Sequence, residues 1–272
     1  NNDKLPVILI IHPVDNDEDW YKLCEDCKDK FRIEQASFED ISISSSEEHT
    51  IVNISPPQQI KYEFQQSEYD INPDLVLVRM NSQYASSRFK RIVDFRNILY
   101  GFIHGNIPMV NSYDSILFNL ERPIMFGILK KIQQKIGNKN FPLIPQSYFS
   151  DSHKIVASSI SPFIISNGLS ITIVQNNQIF EDIKESVANY DHYCTTEPLI
   201  ESEYEIQICF IAPDFICANK RISNKVDQTN IYENIELTPM YKMWVDEIRN
   251  YIPGMKFFSI QAVVDKQGKH FI

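Results

Sequence analysis

Side chains that could ligate a metal or act as nucleophiles are few and scattered in this chain. Cys24 and Cys27 form a Cys-x-x-Cys pair inside a helical pattern. That spacing suits zinc, but a zinc site needs a second ligand pair and none follows at the required interval. Five cysteines in all is an odd number without a disulfide framework, so reduced, structural cysteines of a cytosolic protein are expected. Six histidines, at positions 12, 49, 104, 153, 192 and 270, show no paired-ligand spacing. The dense basic stretch Lys130, Lys131, Lys135 and Lys139 reads as the solvated end of a helix. These residues give no reason to expect a metal centre or a catalytic group.

Composition narrows the partners. The chain has 272 residues, 43% of them hydrophobic and 23% charged, enough for a sizeable core divided between two or three lobes. Its net charge of −10 would repel nucleic acid and anionic lipid, so neither nucleic-acid binding nor direct membrane binding is expected. No apolar run approaches the roughly 20 residues that span a bilayer. The start, Asn1-Asn2-Asp3-Lys4, lacks the basic and apolar regions of a signal peptide. The first residue is not Met and the chain ends inside an apparent strand, so further segments are expected at both ends.

The elements that would position any site follow from periodicity. Pro6-Val7-Ile8-Leu9-Ile10-Ile11 and Leu75-Val76-Leu77-Val78 read as buried parallel strands. A helix is expected over 17–30 with Trp20, Leu23, Cys24 and Cys27 inward, then a strand over 31–36. The Ser-, Glu- and Pro-rich stretch 42–59 reads as a long surface loop. A helix is expected over 86–104 with Phe89, Ile92, Phe95, Leu99 and Phe102 inward, stopped by Gly105, and a fourth strand at 107–111. Alternating strands and helices imply a doubly wound α/β lobe. Pro123 opens the next helix, whose stripe is Ile124, Ile128, Ile132 and Ile136, ended by Gly137. Two strand-like segments follow, Pro162-Phe163-Ile164-Ile165-Ser166 and Thr195-Thr196-Glu197-Pro198-Leu199-Ile200, with a helix-forming run over 180–189 between them. Segments 204–210 and 214–220 read as antiparallel strands joined at Ala212-Pro213. Thr238 and Pro239 start a last helix with Met240, Trp244, Ile248 and Tyr251 inward, and a hairpin turns at Gln267-Gly268.

Several blocks resemble the central domain of the synapsin family: Asn72-Pro73-Asp74-Leu75-Val76-Leu77-Val78-Arg79, Ile107-Pro108-Met109-Val110-Asn111-Ser112, Arg122-Pro123, Asn140-Phe141-Pro142-Leu143-Ile144, Thr195-Thr196-Glu197-Pro198-Leu199-Ile200-Glu201, and Tyr241-Lys242-Met243-Trp244-Val245-Asp246. They occur in the family's order with similar gaps, from about residue 6 to the end. The resemblance implies an α/β pre-ATP-grasp lobe over 1–112 followed by an ATP-grasp domain over 113–272, divided into subdomains at 113–200 and 201–272. It also implies dimerisation, ATP binding with Mg or Ca, and a regulatory or structural role on vesicle membranes.

Carried over position by position, the resemblance places the nucleotide site on Arg122, Ser166, Glu197, Leu199 and Lys225. Arg122 stands where the family has a lysine, and a planar guanidinium replaces a point charge. Ser166 stands where the family's second phosphate-gripping lysine falls, and the glycine-rich loop after it shrinks to Gly168-Leu169-Ser170. A lost cationic contact to phosphate costs about 1.5–3 kcal/mol. Gln207 and Phe210 replace an arginine and a lysine, and Gln261 stands where some members carry a calcium-binding Glu. Lys225 still fits a family lysine. Glu197 and Leu199 match the backbone hinge that holds adenine; a core strand without a ligand would look the same, and Arg122 could equally pair with a nearby acid.

The expectation is therefore a non-catalytic, synapsin-like structural or scaffold subunit of a larger intracellular assembly, with impaired ATP binding and no resident cofactor. A cytoplasmic, cytoskeletal or axonemal setting would fit. The alternative is an ATP-binding, vesicle-associated regulator of the ordinary synapsin type.

Overall fold

Five aliphatic residues in a row form the first strand, and the rest of its lobe is arranged around it. The computed structural model describes residues 5–13, 19–55, 68–86, 88–156, 162–166, 171–188, 193–223 and 230–272, in two compact units, 1–120 and 121–272. The first unit runs β1 (Val7–Ile11), α1 (Trp20–Leu23), β2 (Arg32–Ala36), β3 (Ile41–Ser45), β4 (Thr50–Ile54), β5 (Tyr69–Ile71), β6 (Leu75–Val78), β7 (Gln83–Ser86), β8 (Arg91–Asp94), α2 (Arg96–His104), β9 (Met109–Val110) and α3 (Tyr113–Leu120). Strands β2-β1-β6-β9 form a wholly parallel sheet. Leu9, Ile11 and Val76 of this sheet share a core with Phe38, Val52, Leu99 and Phe102, as the continuous apolar runs require of strands covered on both faces. Tyr113 and Ile116 of α3 pack against the same core.

Three expectations for this lobe need correction. Stretch 42–59 is not one long loop: β3 and β4 form an antiparallel hairpin, and β4 pairs on with β5. Its Ser-rich composition hid an alternation that buries Ile41, Thr50, Val52 and Ile54. Gly101 and Gly105 let α2 lie directly on this hairpin; a Cβ at Gly101 would meet Ile43 at 2.5 Å, and one at Gly105 would overlap Thr50. The helix expected over 86–104 is confined to Arg96–His104, and the residues before it form the β7–β8 hairpin. Phe95, Leu99 and Phe102 are buried as expected, whereas Phe89 and Ile92 are exposed. The helix expected over 17–30 shortens to Trp20–Leu23, capped by Asp19, with a 3₁₀ turn at Glu25–Cys27. Cys24 leaves helical geometry (φ −103°, ψ 14°), and Leu23 faces solvent.

The second unit runs α4 (Arg122–Ile136), β10 (Ser147–Phe149), β11 (Phe163–Ser166), β12 (Ile171–Val174), α5 (Asn177–Ala188), β13 (Cys194–Pro198), β14 (Ser202–Ile211), β15 (Phe215–Ser223), β16 (Asn230–Asn234), α6 (Pro239–Tyr251), β17 (Phe257–Asp265) and β18 (His270–Phe271). It holds two antiparallel sheets, ordered β10-β13-β11-β12 and β16-β15-β14-β17-β18. Gly137 ends α4 at φ +87° and Gly268 makes the last turn at φ +78°, conformations that a Cβ disfavours. The Thr238 hydroxyl accepts from the Tyr241 N–H at 3.3 Å and caps α6. Two apolar stripes differ from expectation. Of the isoleucines along α4, only Ile132 is fully buried and Ile124 is exposed; α6 buries Tyr241, Trp244, Val245 and Ile248, while Tyr251 reaches solvent.

Each sheet has one closed face. Phe163, Ile165, Val174 and Cys194 of the smaller sheet pack with Phe180 of α5 and Ile155. In the larger sheet Ile206, Ile208, Phe210, Ile260, Ala262 and Val264 are buried. Arg249 of α6 lies 4.5 Å over the Phe210 ring on that side, and Tyr241 donates or accepts at His270 of β18 at 3.0 Å.

Candidate functional site

Because strand side chains alternate, the registers place Ser166, Ile164, Thr195, Glu197 and Tyr148 together on the other face of the smaller sheet: Ser166 faces Thr195, Ile164 faces Glu197, and Tyr148 faces Thr195. Ser166 is buried at the end of β11, and its carbonyl accepts from the Thr195 hydroxyl at 3.3 Å. It brings no charge to this face.

Arg122 stands at the first turn of α4 beside Pro123, which suits the opening of a helix. One terminal nitrogen of its guanidinium donates to both carboxylate oxygens of Glu197, at 2.9 and 2.8 Å. The Gln146 side-chain amide donates to the same carboxylate at 3.1 Å. The Glu197 side chain is only 14% exposed and that of Arg122 41%, so the pair is screened at one end and sheltered at the other. The Nε atom of Arg122 is buried without a hydrogen-bond partner among the described residues. Next to the pair, the Tyr193 phenol reaches Glu121 at 3.4 Å and its ring lies 5.7 Å from that of Tyr148. Burial, and then the Glu121 charge, push the Tyr193 phenol up from its ordinary value.

Five positions were singled out from the sequence. Arg122 and Glu197 are in direct contact, and Ser166 shares their sheet face two strand positions along. Leu199 follows β13, and its N–H donates to the Pro162 carbonyl at 3.0 Å, so that backbone group is engaged within the protein. Lys225, like the short Gly168-Leu169-Ser170 loop, lies outside the described residues. Gln146, Tyr148, Glu121 and Tyr193 were not singled out. Only the fold gathers them, and nothing in their spacing announces it.

The larger sheet also has an open face. Asn219, Gln207 and Gln261 are registered side by side across β15, β14 and β17, a row of neutral amides. Beside it Arg221 pairs with Glu205 at 3.2 Å. Among the described residues, no three His, Cys, Asp or Glu side chains gather where they could hold one metal ion. Among the described residues, the groups present are a poor fit to a magnesium triphosphate: Arg122 is already paired with a carboxylate, and the amide row supplies neither a cation for phosphate nor a carboxylate for metal.

The fold around this site is found elsewhere. Solved structures similar over nearly the whole chain include the macrocyclase MdnC from Microcystis aeruginosa bound to its precursor peptide (TM-score 0.63, 10% identity, 98% of this chain and 90% of that one). Others are D-alanyl-alanine synthetase A from Vibrio cholerae (TM-score 0.63, 8% identity, 99% and 87%) and a Chryseobacterium gregarium ATP-grasp ligase in complex with ADP and peptides (TM-score 0.62, 12% identity, 98% and 87%). The chain therefore has the ATP-grasp fold preceded by a pre-ATP-grasp lobe. Within that class its sequence matches the synapsin pre-ATP-grasp domain over residues 1–109 and the synapsin ATP-binding domain over residues 111–272; it belongs to the synapsin family. A Drosophila melanogaster relative, named Synapsin, is 27% identical over 289 aligned residues. All of this chain is covered in that alignment, and it spans about a quarter (27%) of the relative's length.

Proposed function

We propose that this chain is a non-catalytic member of the synapsin family with impaired ATP binding, acting as a structural or scaffold subunit of a larger intracellular assembly. The observation that carries this reading is the Arg122–Glu197 pair. The cation at the family's phosphate-gripping position is bound to the hinge carboxylate, and the second such position is a buried serine. Glu197 already neutralises much of the Arg122 charge, so a phosphate reaching the other guanidinium N–H groups would gain a weaker contact than an unpaired cation gives, and the carboxylate would repel it. The test is isothermal calorimetry of the full-length protein with ATP, with and without Mg²⁺ or Ca²⁺. No heat at millimolar nucleotide is expected. Micromolar, metal-dependent binding would overturn the proposal.

A second reading, an ATP-binding regulator associated with vesicles, is favoured by the alignment of the whole of this chain with part of the Drosophila relative. Under it, Arg122 exchanges Glu197 for phosphate when nucleotide arrives. Glu197→Gln would then tighten ATP binding several-fold, and the protein would sediment with anionic liposomes at low salt. Under the first reading neither effect is seen.

A further inference from the structure

Cys209 of β14 and Cys217 of β15 face each other directly in the antiparallel register. Their neighbours on the same face are the Gln207–Asn219 pair on one side and the Ile211–Phe215 pair that closes the hairpin on the other. We propose that Cys209 and Cys217 are a reversible dithiol/disulfide site on the open face of the larger sheet, oxidised by a small-molecule disulfide of the glutathione type.

The geometry is that of a bond waiting for an oxidant. Directly opposed residues of an antiparallel pair have Cα atoms about 4.5–5.5 Å apart, within the 4.4–6.8 Å range that disulfides span. The register sets the two side chains opposite one another on the same face of the hairpin. Both cysteines are half-buried and within reach of a small reagent, unlike the buried Cys194. Burial, and then the neighbouring Cys217, push the Cys209 thiol up, which lowers its thiolate fraction. In the proposed sequence the Cys217 thiolate displaces one glutathione thiolate and forms a mixed disulfide. The Cys209 thiolate then attacks the protein sulfur of that mixed disulfide and releases the second glutathione. Two protein thiols and one glutathione disulfide thus give one protein disulfide and two glutathione thiols. The product ties β14 to β15 two residues from their turn, beside the amide row of the candidate site, and does not depend on whether nucleotide binds there.

The test is thiol mapping of the full chain after equilibration in buffers of increasing glutathione disulfide content, with alkylation and peptide mass analysis. Cys24→Ser/Cys27→Ser serves as the background, so that the other close pair cannot exchange. Loss of two alkylatable thiols, a Cys209–Cys217 cross-linked peptide, no retained glutathione and full reversal by dithiothreitol are expected. Cys209→Ser should instead leave Cys217 carrying one glutathione. The proposal is overturned if Cys209 and Cys217 stay alkylatable in fully oxidised glutathione, or if the unsubstituted pair accumulates a glutathione adduct in place of the cross-link.

Discussion

The two antiparallel sheets of the ATP-grasp domain each have a closed and an open face, and the contrast between those faces separates what makes the protein fold from what makes it function. On the closed faces, Phe163, Val174, Phe210 and Val264 have almost no exposure. Their contribution is area removed from water, at about 25 cal/mol per Å². The open faces instead hold half-exposed Ile173 and polar groups whose charges are already matched, Arg122 with Glu197 and Arg221 with Glu205. An open face of a nucleotide-binding fold is expected to hold unmatched cations for a phosphate chain. Here each open face carries a described ion pair, Arg122–Glu197 on one and Arg221–Glu205 on the other, while the closed faces are packed as in any stable domain.

The largest effect expected from breaking this contrast is on a closed face. Phe163→Ala removes a fully buried ring that lies 5.8 Å from the tilted ring of Phe180 and should cost about 3–5 kcal/mol in urea unfolding. If it costs under about 1 kcal/mol, comparable to an exposed site, the two faces do not differ as argued. Glu197→Ala, on an open face, should cost about 1 kcal/mol, because the exposed Arg122 end of the pair is screened by solvent; a loss as large as that of Phe163→Ala would make the pair a core element. A smaller effect should come from pH. His270 packs under α6 against Trp244, at 6.1 Å between rings, and burial lowers its pKa from 6.5 although the Gly268 backbone and Asp265 oppose this. The unfolded chain therefore binds this proton more readily than the folded one. Its contribution is intact above about pH 6.5 and is lost as pH falls below it. Chemical denaturation between pH 7 and 5 should show that loss, and His270→Phe should flatten it. The smallest effect is expected at Ile173→Thr, within about 0.5 kcal/mol by thermal unfolding.

Much of the closed architecture was legible because it is written in local pattern. The aliphatic runs of β1 and β6, the Thr238-Pro239 start of α6, the hairpin at Gly268 and the Gly137 stop each express a rule of one element. The failures came where composition and pattern disagreed. Serines along β3 outweighed the alternation of Ile41 and Ile43. Phe89, Ile92 and Phe95 happen to fall at helical spacing, although only Phe95 is inside. The candidate site was half legible. Family resemblance drew attention to Arg122, Ser166 and Glu197, but no spacing in the chain reveals that Arg122 and Glu197 touch, or that Gln146 joins them.

By itself, then, the sequence determined the family and the order of strands and helices in most of the chain. Those facts depend on residue type and near-neighbour periodicity, which a linear chain displays. Tertiary structure alone decided that Arg122 binds Glu197, 75 positions away, and that Cys209 faces Cys217. The reason is physical: an ion pair or a cross-strand contact depends on which strands become neighbours and in what register, and register is set by burying one face of every strand at once.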